Sequence, residues 1–193
     1  MEIIAVIFGL LNVFLLTRQN IWAWPCGLLM VSLYAFIFFD ARLYSDFILH
    51  IIYVILNLYG WYYWLRGGVG DEDVPVTLLS KSSRIIWSGV ILSGFIIWGT
   101  VMYRFTDADY PFPDAFTTVA SLVAQYLLAR KKLENWILWI IVDLVAINIY
   151  FLKELYFTSG LYFVFLILCI IGWKKWQSDM NQEQVIAKEE SQI

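Results

Sequence analysis

The chain has 193 residues, of which 61% are hydrophobic, 19% are aromatic and only 15% are charged. About a quarter of the residues in a soluble domain are charged, so this composition excludes an ordinary soluble protein and indicates a membrane protein. The formal net charge of −3 says little about partners, and no nucleic-acid partner is expected.

Seven apolar segments follow one another along the chain, separated by short charged stretches or by Pro and Gly, as in a polytopic helical bundle. The predicted spans are residues 2–17, 21–39, 46–65, 85–103, 114–129, 136–152 and 159–173. Hydropathy supports the first and fifth spans least, because both are shorter than the roughly 20 residues that cross a bilayer. Neither the linker at 66–83 nor the polar tail at 177–193 carries a catalytic pattern, and the tail is predicted to be disordered.

An internal repeat supports the two weaker spans. At a fixed offset of 112 residues, Leu43-Tyr44 aligns with Leu155-Tyr156, Gly60-Trp61-x-x-Trp64 with Gly172-Trp173-x-x-Trp176, and Trp24 with Trp136. Two copies of a three-helix unit joined by one helix predict parallel repeats, related by a pseudo-twofold axis along the membrane normal. The predicted fold is therefore an all-α polytopic membrane protein with seven transmembrane helices in a 3+1+3 arrangement. Its predicted parts are a first repeat (1–65), a linker with the connecting fourth helix (66–104), a second repeat (114–176) and a cytoplasmic tail (177–193).

The lysines and arginines predict the orientation. Only Arg42, Arg104 and Lys153 lie on the side of the N-terminus, against ten basic residues on the other side. The positive-inside rule then places the N-terminus outside and the C-terminus in the cytoplasm. The first segment lacks a basic region and a cleavage site, so it is interpreted as a retained span. At the predicted cytoplasmic helix ends, Trp61, Trp64, Trp173 and Trp176 are expected to anchor the helices at the interface.

Signatures of an enzyme are scarce. There is a single histidine, and the motifs of hydrolases, phosphate-binding loops and metal sites are missing from the sequence. We therefore predict a protein that is not an enzyme and has no cofactor and no metal. Cys26 and Cys169 lie in different spans without ligand-like spacing and are interpreted as apolar packing residues.

Three predicted helices each carry a polar and aromatic face. At 100° per residue, the face of the sixth span contains Trp136, Trp139, Asp143 and Tyr150, that of the third His50, Tyr53 and Asn57, and that of the fifth Thr117, Ser121 and Gln125. A bundle can bury such faces around a cavity and keep them from lipid. For His50, Asn57 and Gln125 the alternative is interhelical hydrogen bonding, and for Asp143 it is a structural hydrogen bond to a neighbouring helix.

Asp143 gives the sharpest functional hypothesis, because an ionisable residue inside a membrane is costly. Together with Trp136 and Trp139 it predicts a site for a flat organic cation, since aromatic faces attract cations and a carboxylate balances their charge. Thr117, Ser121, Gln125 and Asn57 would then orient the polar edges of a small, ring-bearing solute.

The segments RQNIWAWPCGLL, ARLYSDFILHIIYVILNLYGWYYW, NWILWIIVD and KELYFTSGLYFVFLILCIIGWKKW together resemble the PnuC family of bacterial vitamin transporters. The resemblance covers nearly the whole chain except the linker and the tail. It implies a SWEET-like bundle in the inner membrane that facilitates the diffusion of a vitamin, which is trapped inside by phosphorylation, and it also implies a homotrimer. It matches Trp136, Trp139 and Asp143 to the substrate-contacting element, whereas the roles of Gln125 and Asn57 come from the helical faces alone.

Members of that family differ in substrate. Nicotinamide riboside and thiamine are permanent cations, which suit Trp plus Asp, whereas riboflavin is neutral, so Asp143 argues against riboflavin. Between the two cations the residues leave the choice open, and nicotinamide riboside is ranked first on the resemblance. A single acid without an evident relay partner favours uniport over proton coupling. The alternative of another class is a scaffold or receptor that transports nothing.

Overall fold

The computed structural model describes residues 2–42, 44–68 and 73–190. Within these ranges the chain forms seven α-helices: α1 (Glu2–Thr17), α2 (Ala23–Asp40), α3 (Tyr44–Arg66), α4 (Lys81–Phe105), α5 (Pro111–Ala129), α6 (Glu134–Leu152) and α7 (Tyr156–Glu190). The one β-type pairing in the described ranges is an isolated bridge between Thr77 and Lys132. The prediction of an all-helical fold is confirmed.

Local chemistry explains where several helices begin. The hydroxyl of Ser80 accepts a hydrogen bond from the backbone N–H of Ser83 at 3.1 Å, so it caps the first turn of α4. α5 begins with Pro111, whose fixed φ suits the first helical turn and whose missing N–H would have no partner there.

Five of the helices are long and apolar enough to cross a membrane: α2, residues 46–66 of α3, α4, α6 and residues 156–186 of α7. The first helix has only 16 residues, and Thr117, Thr118, Ser121 and Gln125 lower the hydropathy of α5. These are the two helices that hydropathy predicted least well. Both nevertheless pack between apolar helices in the bundle.

Six helices form a closed ring. Around this ring α1 packs against α2, α2 against α3, α3 against α5, α5 against α6, α6 against α7, and α7 against α1. Among the described helices α4 packs only against α5, and so lies outside the ring. If α1, α2 and α3 are exchanged with α5, α6 and α7, each contact of the ring becomes another contact of the same ring. A twofold axis through the centre of the ring requires this correspondence. The predicted 3+1+3 arrangement of parallel repeats is confirmed.

The backbone repeats the same offset in its turns. Four residues other than glycine have positive φ among the described residues: Gln19 at 53° and Lys131 at 48°, Arg42 at 60° and Glu154 at 61°. Each pair is separated by 112 residues. The turn after α1 therefore matches the turn after α5, and the turn after α2 matches the turn after α6. Leu43, which belongs to the aligned Leu-Tyr pair, lies outside the described residues.

The prediction of a disordered tail is wrong for most of its length. The last helix continues to Glu190, because the segment after Gly172 contains no Gly or Pro and is rich in Lys, Gln and Glu, which favour helix. With 35 residues α7 is about 52 Å long, well beyond the roughly 30 Å of a bilayer core. Its extension is held at Asp179, which accepts a hydrogen bond from Gln19 Nε2 at 2.8 Å.

Two of the four tryptophans expected at the interface belong to the core instead. Trp64 and Trp176 are 6% and 0% exposed. Their rings contact each other, and Trp64 packs edge-on against Trp24 as Trp176 does against Trp136. A glycine one turn before each of them explains the difference, because the indoles of Trp24 and Trp136 lie against Gly60 and Gly172. The Gly-Trp-x-x-Trp motif is therefore a packing motif, in which Trp61 and Trp173 stay half-buried.

Candidate functional site

Asp143 lies inside the bundle with no cation beside it. The residue is 3% exposed, and its Oδ2 accepts a hydrogen bond from the thiol of Cys169 on α7 at 3.4 Å. Among the described residues no lysine, arginine or histidine forms an ion pair with it. A thiol is a weak donor, so this contact compensates poorly for the burial of a carboxylate. This carboxyl group is therefore the candidate partner for a polar or cationic group of a ligand.

Cys169 was interpreted from the sequence as an apolar packing residue, and it does lie in the hydrophobic core at 4% exposure, but it makes one polar contact as well. Its thiol is the hydrogen-bond donor to Asp143. One signal in the sequence pointed to it: at the offset of 112 it aligns with Asn57, a polar residue in the middle of α3.

The two tryptophans upstream of Asp143 have different surroundings. Trp136 is 1% exposed and packs edge-on against Trp176, with ring centroids 5.4 Å apart. Its counterpart Trp24 makes the same contact with Trp64 at 5.3 Å. Trp139 is half-buried, lies one turn nearer to Asp143 and packs against the hydrophobic core. Trp139 is thus the more accessible of the two indoles.

The polar face of α5 meets α3. The hydroxyls of Tyr53 and Ser121 hydrogen-bond across the helices at 2.5 Å, so these two predicted site residues are brought together. One turn further along α5, Gln125 is buried, and its amide makes no hydrogen bond to another side chain or backbone group within the described ranges. Thr117 is half-buried and donates to the carbonyl of Asp114 in its own helix.

His50 and Tyr150 lie further toward the side of the N-terminus. The ring of His50 contacts Phe38, Tyr34 and Tyr53 with centroid distances of 4.8, 5.8 and 5.8 Å, and its Nδ1 pairs with the carbonyl of Asp46. His50 is thus packed among aromatic rings, and among the described residues it makes no hydrogen bond or ion pair with Asp143.

Tyr150 stacks on Tyr162 of α7 at 5.2 Å.

The opposite end of the bundle, which we call the linker side, carries the 1–2, 3–4 and 5–6 connections. It is closed by the tryptophan cluster (Trp24, Trp64, Trp136 and Trp176), in which the rings of Trp64 and Trp176 meet at 5.9 Å across the two halves. The indole N–H of Trp176 donates to the carbonyl of Leu16 at 2.9 Å.

The linker itself is docked against this end. Thr77 exchanges backbone hydrogen bonds with the 5–6 turn, donating to Lys131 O at 3.1 Å and accepting from Leu133 N at 3.0 Å. The ammonium of Lys131 lies 4.6 Å from the centre of the Trp64 ring. Burial lowers the pKa of this ammonium, and the carboxylates nearby oppose that shift in part. The structure thus shows a bundle that is sealed on the linker side.

Comparisons with known proteins agree with this architecture. A family model described as nicotinamide mononucleotide transporter matches residues 1–178. The chain is 28% identical to the nicotinamide riboside transporter PnuC of Escherichia coli (strain K12) over 200 residues, covering 91% of this chain and 84% of that protein. It is also 28% identical to the riboflavin/roseoflavin transporter RibM of Streptomyces davaonensis over 178 residues, covering 91% of this chain and 83% of that protein.

A solved structure gives the same result for the fold. The crystal structure of the vitamin B3 transporter PnuC matches with a TM-score of 0.74 at 23% identity, and the match covers 93% of this chain and 81% of that one. These relatives are named as transporters and not as enzymes, so the prediction of a non-enzymatic membrane protein is confirmed. Since the family model spans nearly the entire chain, the chain is a multi-pass membrane protein that belongs to the nicotinamide mononucleotide transporter family, the family of PnuC.

Proposed function

We propose that this chain carries a cationic, ring-bearing vitamin across the bacterial inner membrane, with nicotinamide riboside as the first candidate. The observation that carries the proposal is the buried carboxylate of Asp143, which has a thiol as its hydrogen-bond partner and forms no ion pair among the described residues. A permanent cation would balance this charge, and a neutral solute would not. The relatives named as nicotinamide riboside transporters support the choice.

The aromatic ring of the ligand would lie against Trp139. An indole face attracts a desolvated cation by about 2 kcal/mol, and Trp139 is only half-buried in the absence of ligand. The polar edges would meet Gln125, Ser121 and Tyr53 on the facing helices. Around this centre, the side chain of Trp136 would support the indole. An entrance would be lined by Thr117, His50 and Tyr150.

Riboflavin is the most informative competitor, because one relative is named as a riboflavin/roseoflavin transporter. Its ring system is neutral, so it gains nothing from the charge of Asp143. Thiamine carries a thiazolium and meets the same contacts as nicotinamide riboside. Both belong in any binding screen as alternatives to nicotinamide riboside, and a scaffold that transports nothing would bind none of the three.

Transport requires the sealed linker side to open. The orientation proposed from the lysines and arginines makes this the cytoplasmic side, with the N-terminus outside, so the structure would correspond to a transporter closed toward the cytoplasm. The two three-helix repeats (1–65 and 114–176) would be the units that move, joined by residues 66–104, with 177–193 as a cytoplasmic extension. The oligomer would be a homotrimer, on the resemblance to the family.

Uniport with trapping by phosphorylation inside the cell is the proposed mechanism, since within the described part of the chain Cys169 is the one titratable side chain that hydrogen-bonds to Asp143. The test is uptake of labelled nicotinamide riboside into proteoliposomes. Uniport is supported if the substrate inside the vesicles reaches the outside concentration and if collapse of the proton gradient does not change the uptake. Accumulation above the outside concentration that disappears with the proton gradient contradicts it. Uptake of riboflavin in preference to both cations would contradict the proposed substrate.

A further inference from the structure

The two halves of the ring meet at two interfaces, and these interfaces are held together differently. Among the described helices, the first repeat contacts the second only where α3 packs against α5 and where α7 packs against α1. The pseudo-twofold axis exchanges the two interfaces, so any difference between them is a departure from the symmetry of the fold. Such a difference indicates which interface can separate more easily.

The α3–α5 interface carries polar contacts at two depths. Near the middle of the bundle the hydroxyls of Tyr53 and Ser121 hydrogen-bond at 2.5 Å. Nearer to the linker side, Arg130 donates from Nη1 to the hydroxyl of Tyr59 at 3.1 Å, and the ring of Tyr59 stacks on that of Tyr126 with centroids 6.1 Å apart. These contacts extend over about 9 Å of α3.

The linker ties the same interface a second time, because it leaves α3 and binds the 5–6 turn. The main chain of Thr77 exchanges two hydrogen bonds with that turn, and its hydroxyl accepts from Lys132 Nζ at 2.7 Å. Next to it, Val76 is 3% exposed and belongs to the hydrophobic core. The chain also joins α3 to α5 on this side, through the linker and α4. This interface is therefore held by covalent, apolar and polar links.

The α7–α1 interface is fastened by two hydrogen bonds, both on the linker side. Asp179 of α7 accepts from Gln19 Nε2, in the turn after α1, at 2.8 Å, and Trp176 Nε1 donates to Leu16 O at 2.9 Å. Within the described ranges no other side-chain hydrogen bond and no ion pair joins α7 to α1 or to the turn after it. The two helices are far apart in sequence, so no short segment of chain connects them.

Divergence of the repeats just after the Gly-Trp-x-x-Trp motif accounts for the difference. At the offset of 112, Gly67 corresponds to Asp179. α3 ends at Arg66, and the chain turns away as the linker, whereas α7 continues as a helix through Asp179. The equivalent turns at Lys131 and Gln19 are consequently held by different means, the first by main-chain pairing and the second by one carboxylate.

We propose that the bundle opens on the linker side by separation of α7 from α1, with the α3–α5 interface as the hinge and the Gln19–Asp179 pair as the latch. The inference rests on the proposed function, since a transporter must open this end, and it adds which interface separates. A half-buried side-chain hydrogen bond exchanges for bonds to water at little cost. Separation at the hinge would instead break backbone pairing and expose Val76.

The first test measures access to the centre of the bundle without any substrate. Cys169 hydrogen-bonds to Asp143 and is 4% exposed, so its alkylation by a water-soluble maleimide, followed by mass spectrometry, reports opening. Gln19→Asn tolerates the positive φ of 53° but is one methylene shorter, so it loses the bond to Asp179. It should label roughly fivefold faster than the parent chain. Asn181→Ala, at an exposed position of the same helix, should label at the parental rate.

A double variant separates release of the latch from general destabilisation. Adding Asp179→Ala to Gln19→Asn should give no further increase in labelling, because the two side chains act as one pair. Additive increases, or equal labelling of Gln19→Asn and the parent chain, would overturn the assignment of the latch.

The second test locks each interface before reconstitution into proteoliposomes. Gln19→Cys with Asp179→Cys, bridged by a short reversible dithiol reagent, should stop uptake of nicotinamide riboside until the bridge is reduced. Thr77→Cys with Lys132→Cys occupies the β-bridge, within reach of a disulfide, and its oxidation should leave uptake intact. Uptake through the first bridge, or loss of uptake with the second, would place the hinge at the wrong interface. If the parent chain takes up no nicotinamide riboside, the proposed function fails, and the labelling of Cys169 still decides the latch.

Discussion

Replacing Gly172 by alanine is predicted to damage the tryptophan cluster on the linker side. A Cβ at this position would lie 2.6 Å from both Cη2 and Cζ2 of Trp136. Since carbon atoms pack at about 3.5 Å or more, the indole would have to retreat by about 0.9 Å. Trp136 is 1% exposed and packs edge-on against Trp176, so the retreat also disturbs the second ring.

Overpacking of a well-filled core costs about 1–3 kcal/mol, and a rigid, enclosed indole favours the middle of that range, about 2 kcal/mol. For a chain of this length the loss corresponds to a decrease in melting temperature of about 4–8 °C. Gly60→Ala should cost at least as much, because Gly60 faces Trp24 in the equivalent position of the first repeat.

The assay is thermal unfolding of the purified protein in detergent, followed by tryptophan fluorescence. Gly160→Ala is the matched control in the same helix, since a Cβ there meets no atom within 4 Å. It should leave the melting temperature unchanged or raise it slightly, because alanine is the better helix former. If Gly172→Ala melts with the Gly160→Ala control, the Gly-Trp-x-x-Trp motif does not act through packing.

Three further outcomes are expected. Trp139→Ala should weaken the binding of nicotinamide riboside by roughly 30-fold in calorimetry, as the loss of about 2 kcal/mol predicts. Trp22→Ala, at an exposed position, should leave the affinity unchanged, and equal affinities of Trp139→Ala and the parent chain would remove Trp139 from the site. Glu134→Gln should speed tryptic cleavage of the linker, because the carboxylate accepts from Leu79 N at 3.0 Å and pairs with an arginine at 2.9 Å; an unchanged cleavage rate would show that these bonds do not hold the linker. A reporter fused after Ile193 should be cytoplasmic, and an extracellular reporter would reverse the proposed orientation.

Much of the fold was predictable because the sequence repeats itself. The offset of 112 placed a first and a fifth helix where hydropathy was weak, and both belong to the ring. The turns confirm the repeat independently, since Gln19 and Lys131 share a left-handed backbone conformation. Periodicity and repetition are properties of the chain itself, so they can be read without coordinates.

It was harder to predict which individual side chains pack in the core. Tryptophan at a helix end can anchor at the interface or pack inside, and only the approach of Gly60 and Gly172 to the facing indoles decides for the core. The polar tail gave a composition typical of disorder, yet the helix continues through Met180, which is 7% exposed. These outcomes depend on contacts between segments that are far apart in sequence.

The candidate site was predicted in part. The polar face of the sixth helix led to Asp143, but the hydrogen bond from Cys169 was not predicted, because a single thiol in an apolar run has no pattern of its own. Placing the repeats over each other could have indicated this polar role, since Cys169 aligns with Asn57. Divergence between two copies of a fold therefore indicates where their chemistry differs.

The central claim is that Asp143 supplies the charge that selects a cationic vitamin. Its most direct test is calorimetric binding of nicotinamide riboside to the purified parent chain, to Asp143→Asn and to the exposed control Asp107→Asn. We expect the parent and Asp107→Asn to bind nicotinamide riboside, and Asp143→Asn to bind it with an affinity at least tenfold lower. The binding of riboflavin should be unaffected by the substitution. Undiminished binding of nicotinamide riboside to Asp143→Asn would contradict the central claim.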